Sequence, residues 1–225
     1  MIELYFWTTP NGMKPLILLE ETGLAHTIRP VNISKGEHFS EAFTRISPNQ
    51  KIPAIVDPAP AGGGTPLALF ESGAILQYLA EKTGQFLPQS PSPRTEVMQW
   101  LFWQMAGLGP MLGQYLHFAV YADQAVPYAQ GRYGREKERL YQVMDDRLRD
   151  RDFLAGDYSI ADIAAYPWIH ALERKTSHLN GFANLRRWYE AVSERPAVVC
   201  AYERAKAINT TPTITAESRE VLLVA

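Results

Sequence analysis

The feature that most constrains this fold is an Ile52-Pro53 pair that leads into a predicted strand at Ala54–Val56. Proline lacks a backbone donor, so the strand cannot begin before it in the ordinary way. An X-Pro bond is also cis at a modest cost of about 0.5–1 kcal/mol. The N–H and C=O of Ile52 can then pair with an extended, peptide-like ligand. The alternative is that Pro53 only forms a bend before the strand.

A Glu-Ser pair follows the next predicted strand and begins a helix. Ser72 is a favourable N-cap, and Ile75, Leu76 and Leu79 share one helical face. A helix N-terminus binds anions such as a carboxylate, and Glu71 beside it can hold an ammonium group. The pair therefore predicts a site for the α-amino acid end of a ligand. The alternative is a plain capped helix with an exposed glutamate.

The first part of the chain alternates short strands and helices, which predicts a mixed α/β domain of the thioredoxin type. Pro30 places the second strand near an edge of the sheet. The predicted elements are a strand at Ile2–Phe6, a loop at Thr9–Gly12, a helix with Pro15 in its first turn and Gly23 at its end, a strand at His26–Val31, a helix near Phe39–Ile46, strands at Ala54–Val56 and Leu67–Phe70, and the helix after Ser72.

A proline-rich linker at Leu87–Pro93 separates this part from one in which only helices are predicted. The domain boundaries are therefore 1–87 and 94–208, followed by a tail at 209–225 whose last apolar residues dock on the body or on a partner. The predicted helices are Thr95–Ala119, Tyr128–Arg149, Ile160–Glu173, Leu185–Glu194 and Val198–Ala207.

Two patterns in the helical part have structural interpretations. Ser159 and Asp162 have the spacing of a capping box, which makes Asp162 a folding element rather than a catalytic acid. Gly107, Gly109 and Gly113 are unfavourable within a helix. They predict either close packing against another chain or room for a substrate.

Composition excludes several functions. The 225 residues carry a net charge of −2, which gives no basic surface for nucleic acid, and 46% of them are hydrophobic, enough for a real core. No apolar run is long enough for a membrane span, and the N-terminus lacks the features of a signal peptide. The one cysteine, Cys200, suits a reducing compartment, so we predict a cytoplasmic protein.

These motifs together resemble the bacterial glutathione S-transferases, most closely the nu class of disulfide-bond reductases. The resemblance runs from Met1 to about Arg204. It implies an α/β N-terminal thioredoxin-like domain that binds glutathione, followed by an all-α C-terminal helical domain. The matching segments are Leu4–Phe6, Thr8–Gly12, Ile46–Asn49, Lys51–Asp57, Leu69–Ile75, Gln99–Gln104 and Gly107–Met111.

The resemblance implies that glutathione, as co-substrate, supplies the thiol. A thioredoxin-like domain usually has Cys-x-x-Cys after its first strand, but this chain has Thr9 and Asn11 there. Both are hydrogen-bond donors that can favour a thiolate, and we predict them as the catalytic residues. Their alternative role is turn formation. Tyr5 ranks below them, and we interpret Cys200 as a small core residue.

The predicted glutathione-binding residues are Thr9, Asn11, His38, Ile52, Pro53, Glu71, Ser72 and Arg132, with Lys14 as a further candidate and no metal. Arg132 resembles an arginine that holds a glutathione carboxylate in the nu class. His38 stands where a glutamine is expected, and its protonation would make binding pH-sensitive.

The predicted function is a glutathione-dependent disulfide-bond reductase that holds glutathione or glutathione disulfide and acts on small disulfides. The resemblance also implies a homodimer. Neither nucleic acid nor a membrane is an expected partner. Two alternatives stay open, namely a transferase that conjugates electrophiles and a non-catalytic glutathione-binding module.

Overall fold

The computed structural model describes residues 1–176, 178–209, 215 and 218–223, which pack as two units. The first unit contains Met1–Gln85 and the described residues from Pro196 onward, and the second contains Phe86–Arg195. The helix Pro196–Ile208 therefore packs with the first unit, although the sequence analysis placed it in the helical domain. The domain boundaries themselves stay a prediction.

The first unit is built on a four-stranded sheet with the strand order β2-β1-β3-β4. Strand β1 is parallel to β2 and antiparallel to β3, and β3 is antiparallel to β4. Strand β2 lies at an edge, as its proline indicated. This sheet confirms the thioredoxin-like prediction. The strands are β1 (Ile2–Phe6), β2 (His26–Pro30), β3 (Ala54–Asp57) and β4 (Leu67–Phe70).

Helix α1 (Pro10–Thr22) begins earlier than the sequence analysis predicted. The prediction of a loop at Thr9–Gly12 is wrong, because Thr9 is the N-cap and its hydroxyl oxygen accepts from the N–H of Gly12 at 3.1 Å. Pro10 stands at the first helical position, where its missing N–H costs little. The turn that follows the first strand is therefore already the start of a helix.

Two other helices differ from their predicted starts. Helix α2 is a single turn (Glu41–Thr44) that follows 3-10 turns at Ile33–Lys35 and Glu37–Phe39, so the predicted helix near Phe39–Ile46 is present but shorter than predicted. Helix α3 spans Ser72–Thr83. Its N-cap is Glu71 rather than Ser72, and Glu71 has φ 68°, outside the helical region. Ser72 is the first helical residue, and its side chain is buried.

The second unit is helical, as predicted. It contains α4 (Pro91–Trp103), α5 (Gly109–Leu116), α6 (Pro127–Arg147), α7 (Ile160–Thr176) and α8 (Ala183–Ser193). Wide π turns at Gln104–Leu108 and His117–Tyr121 flank α5. Because proline has no N–H to complete a regular turn, Pro110 accounts for the irregular first boundary. The single predicted helix Thr95–Ala119 is thus interrupted.

The glycines at the start of α5 pack within their own chain. A Cβ on Gly109 would lie 2.8 Å from Gln104 Nε2 and 3.1 Å from Trp168 Nε1. A Cβ on Gly113 would lie 3.3 Å from the Trp168 ring. Close approach of α7 therefore explains these two glycines, and the prediction that they face another chain or a substrate is not needed for them.

Asp162 stabilises the start of α7, as the capping pattern predicted. It is fully buried, and its carboxylate accepts from the N–H and hydroxyl of Ser159, from the N–H of Leu154 at 3.0 Å and from Trp188 Nε1 at 2.8 Å. Burial raises the pKa of Asp162 to about 6, although these hydrogen bonds oppose the rise.

The last part of the first unit covers α1. Helix α9 (Pro196–Ile208) packs along α1, and its Arg204 contacts both Glu20 and the Nε2 atom of His26. Beyond α9, the side-chain amide of Asn209 donates to Thr8 at 2.5 Å. This contact holds the segment that leads into the start of α1.

The described part of the tail returns to the same unit. Helix α10 (Ser218–Leu223) contacts the 3-10 turn at Ile33–Lys35, and Thr215 and Ser218 exchange side-chain to backbone hydrogen bonds at its start. The predicted docking of the tail on the body holds for these residues. Residues 210–214, 216–217 and 224–225 of that prediction lie outside the described residues.

Candidate functional site

The sheet register brings three of the predicted site segments to one edge, namely the edge formed by the ends of β1 and β4 and the start of β3. Ala54, the first residue of β3, pairs with Tyr5 on one side and with Phe70 on the other. Because β3 is antiparallel to both neighbours, the ends of β1 and β4 lie beside the start of β3. The segments that begin with Thr9, end with Pro53 and begin with Glu71 therefore leave the sheet at the same edge.

The N-terminus of α1 is the first component of this site. Thr9 uses its hydroxyl oxygen as the acceptor for Gly12, so its hydroxyl hydrogen can be donated to another group. Asn11 lies in the first helical turn and is partly exposed. A Cβ at position 12 would lie 2.2 Å from the carbonyl oxygen of Trp7, so glycine is needed for the helix to start this close to the strand. Both predicted donors thus lie at the positive end of a helix dipole.

The Ile52–Pro53 segment is the second component. The peptide bond between these residues is cis, Pro53 is buried and Ile52 is half-buried. The β-ladder begins at Ala54, so the backbone of Ile52 lies outside it. The Ser47 hydroxyl donates to the Lys51 carbonyl at 2.9 Å and holds the approach to this segment.

His38 lies close to this segment. Its side chain is buried and its Nδ1 atom has no hydrogen-bond partner among the described residues. Burial lowers the pKa of His38 below its ordinary value, and the charge of Lys51 lowers it further. Both effects favour the neutral form of His38 relative to a free histidine. The pH-sensitivity that the sequence analysis attached to this residue stays a prediction.

The N-terminus of α3 is the third component, and it contacts Lys14 of α1, which the sequence analysis gave only as a further candidate. Glu71 is exposed, Ser72 is buried, and Lys14 on α1 donates from Nζ to the Ser72 hydroxyl oxygen at 3.4 Å. Lys14 is itself buried, which lowers its pKa to about 7 although Glu71 opposes that effect. Its sequence signal was a single charge within the apolar stretch 13–19.

The two rival groups for thiol chemistry are unsuited to it. The Tyr5 hydroxyl contacts Glu3 at 3.5 Å, and burial together with Glu3 raises the pKa of Tyr5. The Cys200 thiol donates to Glu20 at 3.5 Å, and burial together with Glu20 raises the pKa of Cys200. A raised thiol pKa lowers the fraction of reactive thiolate.

Arg132 is the predicted site residue that the structure does not place with the others. It lies on α6 of the second unit, its side chain is exposed, and its charge contributes to lowering the pKa of Glu136. Its role in the site stays a prediction.

In the described ranges, no helix is both long and apolar enough to cross a membrane. In the same residues, no group of three or more His, Cys, Asp or Glu side chains is arranged to hold a metal ion.

Comparison with known proteins gives a consistent family. The sequence model described as "Glutathione S-transferase, N-terminal domain" matches residues 1–81, and that described as "Glutathione S-transferase, C-terminal domain" matches residues 114–196. The chain is 51% identical over 207 residues to the disulfide-bond oxidoreductase YfcG of Escherichia coli, covering 92% of this chain and 96% of that protein. It is 40% identical to the disulfide-bond oxidoreductase YghU of the same organism, covering 93% and 75%.

Solved structures agree with these matches. A glutathione transferase from Pseudomonas putida, with one glutathione disulfide bound per subunit, is 43% identical with a TM-score of 0.85, covering 89% of this chain and 90% of that one. A glutathione transferase from Burkholderia graminis, with two glutathione molecules bound per subunit, is 42% identical with a TM-score of 0.86, covering 91% and 88%.

Proposed function

Because the chain belongs to the glutathione S-transferase family, we propose that it is a glutathione-dependent disulfide-bond reductase in which bound glutathione supplies the reacting thiol. The observation that supports this proposal most directly is the convergence of two helix N-termini and the Ile52–Pro53 segment at one edge of the sheet. The relatives that are disulfide-bond oxidoreductases and the neighbours that bind glutathione support it independently.

Each part of glutathione has a matching group at this edge. The γ-glutamyl end carries an ammonium and a carboxylate, which suit Glu71 and the start of α3 at Ser72. The cysteinyl backbone suits the N–H and C=O of Ile52, as one added strand. The glycine carboxylate suits the neutral His38 ring as a donor. This arrangement directs the thiol toward Thr9 and Asn11.

The proposed chemistry needs the thiolate, which is the nucleophile in thiol–disulfide exchange. The Thr9 hydroxyl, the Asn11 amide and the N-terminus of α1 stabilise a negative sulfur by hydrogen bonding and by the helix dipole. The thiolate attacks one sulfur of the substrate disulfide, forms a mixed disulfide and releases the other sulfur as a thiolate. A second glutathione thiolate then attacks the mixed disulfide, which yields glutathione disulfide and releases the remaining substrate thiol.

The second glutathione requires its own anchor. We assign this role to Arg132, because a guanidinium binds a carboxylate through two parallel hydrogen bonds. Two glutathione molecules per subunit in the Burkholderia graminis neighbour support such a second position. Within this proposal we also expect a nu-class homodimer in the cytoplasm, which analytical ultracentrifugation and cell fractionation would test.

The test is glutathione-dependent reduction of hydroxyethyl disulfide, coupled to NADPH oxidation through glutathione reductase, with conjugation of an aromatic chloride measured in parallel. We expect strong reduction and feeble conjugation. Thr9→Ala with Asn11→Ala should lower kcat/KM for reduction by about 100-fold or more, since each removes a donor to charged sulfur. Cys200→Ser is the matched control and should keep the wild-type rate.

Other results would favour the alternatives. Strong conjugation with feeble reduction would identify a conjugating transferase. Glutathione binding without either activity would identify a non-catalytic module. Loss of reduction in Cys200→Ser would contradict the assignment of the thiol to glutathione.

A further inference from the structure

The buried lysine beneath the start of α3 is not used by the mechanism above. Lys14 has only 1% of its surface exposed, yet it projects from α1 to within 3.4 Å of the Ser72 hydroxyl oxygen. Ser72 is the first residue of α3, a helix of 12 residues, and it is also buried. The ionisable group of Lys14 therefore lies beside the N-terminus of α3 and away from solvent. Its charged form has a desolvation cost that other interactions must offset.

The direction of the hydrogen bond between these two residues depends on a proton. A neutral lysine nitrogen has a lone pair and can accept the Ser72 O–H, whereas an ammonium can only donate. When Lys14 is charged, the Ser72 oxygen accepts from Lys14 and the serine hydrogen must point to another acceptor. The pKa of Lys14, about 7 without a ligand, means that both forms are accessible near neutral pH.

We propose that Lys14 is a proton-coupled positioning residue that makes the site selective for ligands with a free α-carboxylate at the γ-glutamyl end. This inference rests on the proposed function. A carboxylate at the start of α3 favours the charged form of Lys14, which takes up one proton from solvent. Charged Lys14 donates to Ser72, and the Ser72 hydroxyl then donates to the carboxylate.

The charged surroundings of Lys14 allow this coupling. Glu71 precedes α3, and its charge favours protonation of Lys14. When the ligand ammonium pairs with Glu71, the negative charge of Glu71 is partly neutralised and favours protonation of Lys14 less. The negative charge of the ligand carboxylate then favours protonation of Lys14 in its place. Three acidic residues of α1 and the sheet have cationic partners of their own, since Glu20 pairs with Arg204 and His26, Glu3 with Arg29, and Asp57 with Lys82.

The test uses S-methylated ligands, because methylation removes proton release from the thiol. The probes are S-methylglutathione, its glutaryl analogue without the α-amino group, and its 4-aminobutyryl analogue without the α-carboxylate. Isothermal titration in two buffers of different ionisation enthalpy gives both affinity and proton uptake. At pH 8 we expect binding of the glutaryl analogue to be accompanied by uptake of as much as about 0.9 proton per site, and binding of the 4-aminobutyryl analogue by close to none.

Lys14→Met should lower the affinity for S-methylglutathione and for the glutaryl analogue by about 10- to 100-fold, and should change the affinity for the 4-aminobutyryl analogue by less than about threefold. It should also abolish proton uptake. The exposed Lys206 on α9 gives the matched control, and Lys206→Met should match the wild type. Ser72→Ala is a second route if Lys14→Met does not fold. It should remove the preference for the α-carboxylate together with proton uptake.

Three outcomes would overturn the inference. They are equal weakening of all three probes by Lys14→Met, unchanged affinity for S-methylglutathione in that variant, and wild-type binding without proton uptake. In each case glutathione binding and disulfide reduction by the wild type would leave the proposed function standing. Failure of the wild-type protein to bind any probe would instead reject the proposed function, and this inference with it.

Discussion

Replacement of Asp162 tests whether this buried carboxylate is structural. Asp162→Ala removes the acceptor for Leu154 N–H, Ser159 N–H and Trp188 Nε1–H, all of which stay buried. Each unsatisfied buried donor costs about 1–3 kcal/mol, and relief of the buried charge offsets part of the sum. We expect the free energy of unfolding to fall by about 3–5 kcal/mol.

Asp162→Asn should be much milder. The pKa of Asp162 is raised from 3.8 to about 6, so the buried negative charge costs roughly 3 kcal/mol at neutral pH. Asparagine avoids this cost and keeps one acceptor oxygen for two of the donors. We therefore expect Asp162→Asn to lie within about 2 kcal/mol of the wild type at pH 8.

The sign of the pH dependence provides a second check. The folded protein holds the Asp162 proton more tightly than the unfolded chain, so this residue adds stability as the pH falls through 6 toward 4. As the pH is lowered from 8 to 4, the free energy of unfolding of the wild type should rise by up to roughly 3 kcal/mol relative to that of Asp162→Asn.

The assay is urea unfolding followed by tryptophan fluorescence, since Trp188 is buried beside Asp162. Asp146, whose carboxylate pairs with Arg149 on the surface, gives the matched control, and Asp146→Ala should change stability by less than about 0.5 kcal/mol. A folded Asp162→Ala protein with wild-type stability and no disulfide reduction would refute the structural interpretation and make Asp162 a catalytic group.

Two further predictions concern packing and acid stability. Hydrogen bonds such as that from Lys82 lower the pKa of Asp57, so the stability that its carboxylate contributes is complete at neutral pH and is lost as the pH falls through the pKa of the folded protein. In urea unfolding at pH 7, Asp57→Asn should lower the free energy of unfolding by about 1–3 kcal/mol, and the stability of the variant should fall less steeply in acid than that of the wild type. Equal acid sensitivity of the two proteins would contradict this prediction. Gly109→Ala should lower the free energy of unfolding by about 1–3 kcal/mol, because the new Cβ would lie too close to Gln104. Gly107→Ala, whose Cβ would have its nearest contact at 4.0 Å, should be neutral or stabilising by up to about 1 kcal/mol. Equal effects of the two substitutions would refute the packing explanation.

The fold was predictable because its signals are local. Alternation at Ile2–Phe6, the edge proline of β2 and the capping pattern at Ser159 and Asp162 all correspond to what the structure contains. The start of α1 was missed because Thr9-Pro10-Asn11-Gly12 is also a favourable turn sequence. The choice depends on packing of the helix against Trp7, where only glycine fits.

The site was less predictable because it depends on contacts between distant segments. Ile52 and Ser72 were visible as motifs, since proline and a helix start leave local marks. Lys14 was no more than a weak candidate, because its meaning depends on Ser72 at a sequence separation of 58 residues. The packing of Gly109 and Gly113 against Trp168 was not predicted for the same reason, since Trp168 lies on another helix.

Completion of the first unit by α9 has a consequence for how this chain can be cut or synthesised. A fragment that ends before Pro196 retains every strand of the sheet, yet it uncovers the side of α1 on which α9 packs and leaves Glu20 and His26 without Arg204. During translation, the surface of α1 on which α9 packs stays uncovered until α9 has been synthesised. Truncations near the C-terminus should therefore damage the N-terminal unit, and a fusion tag there needs a spacer beyond α10.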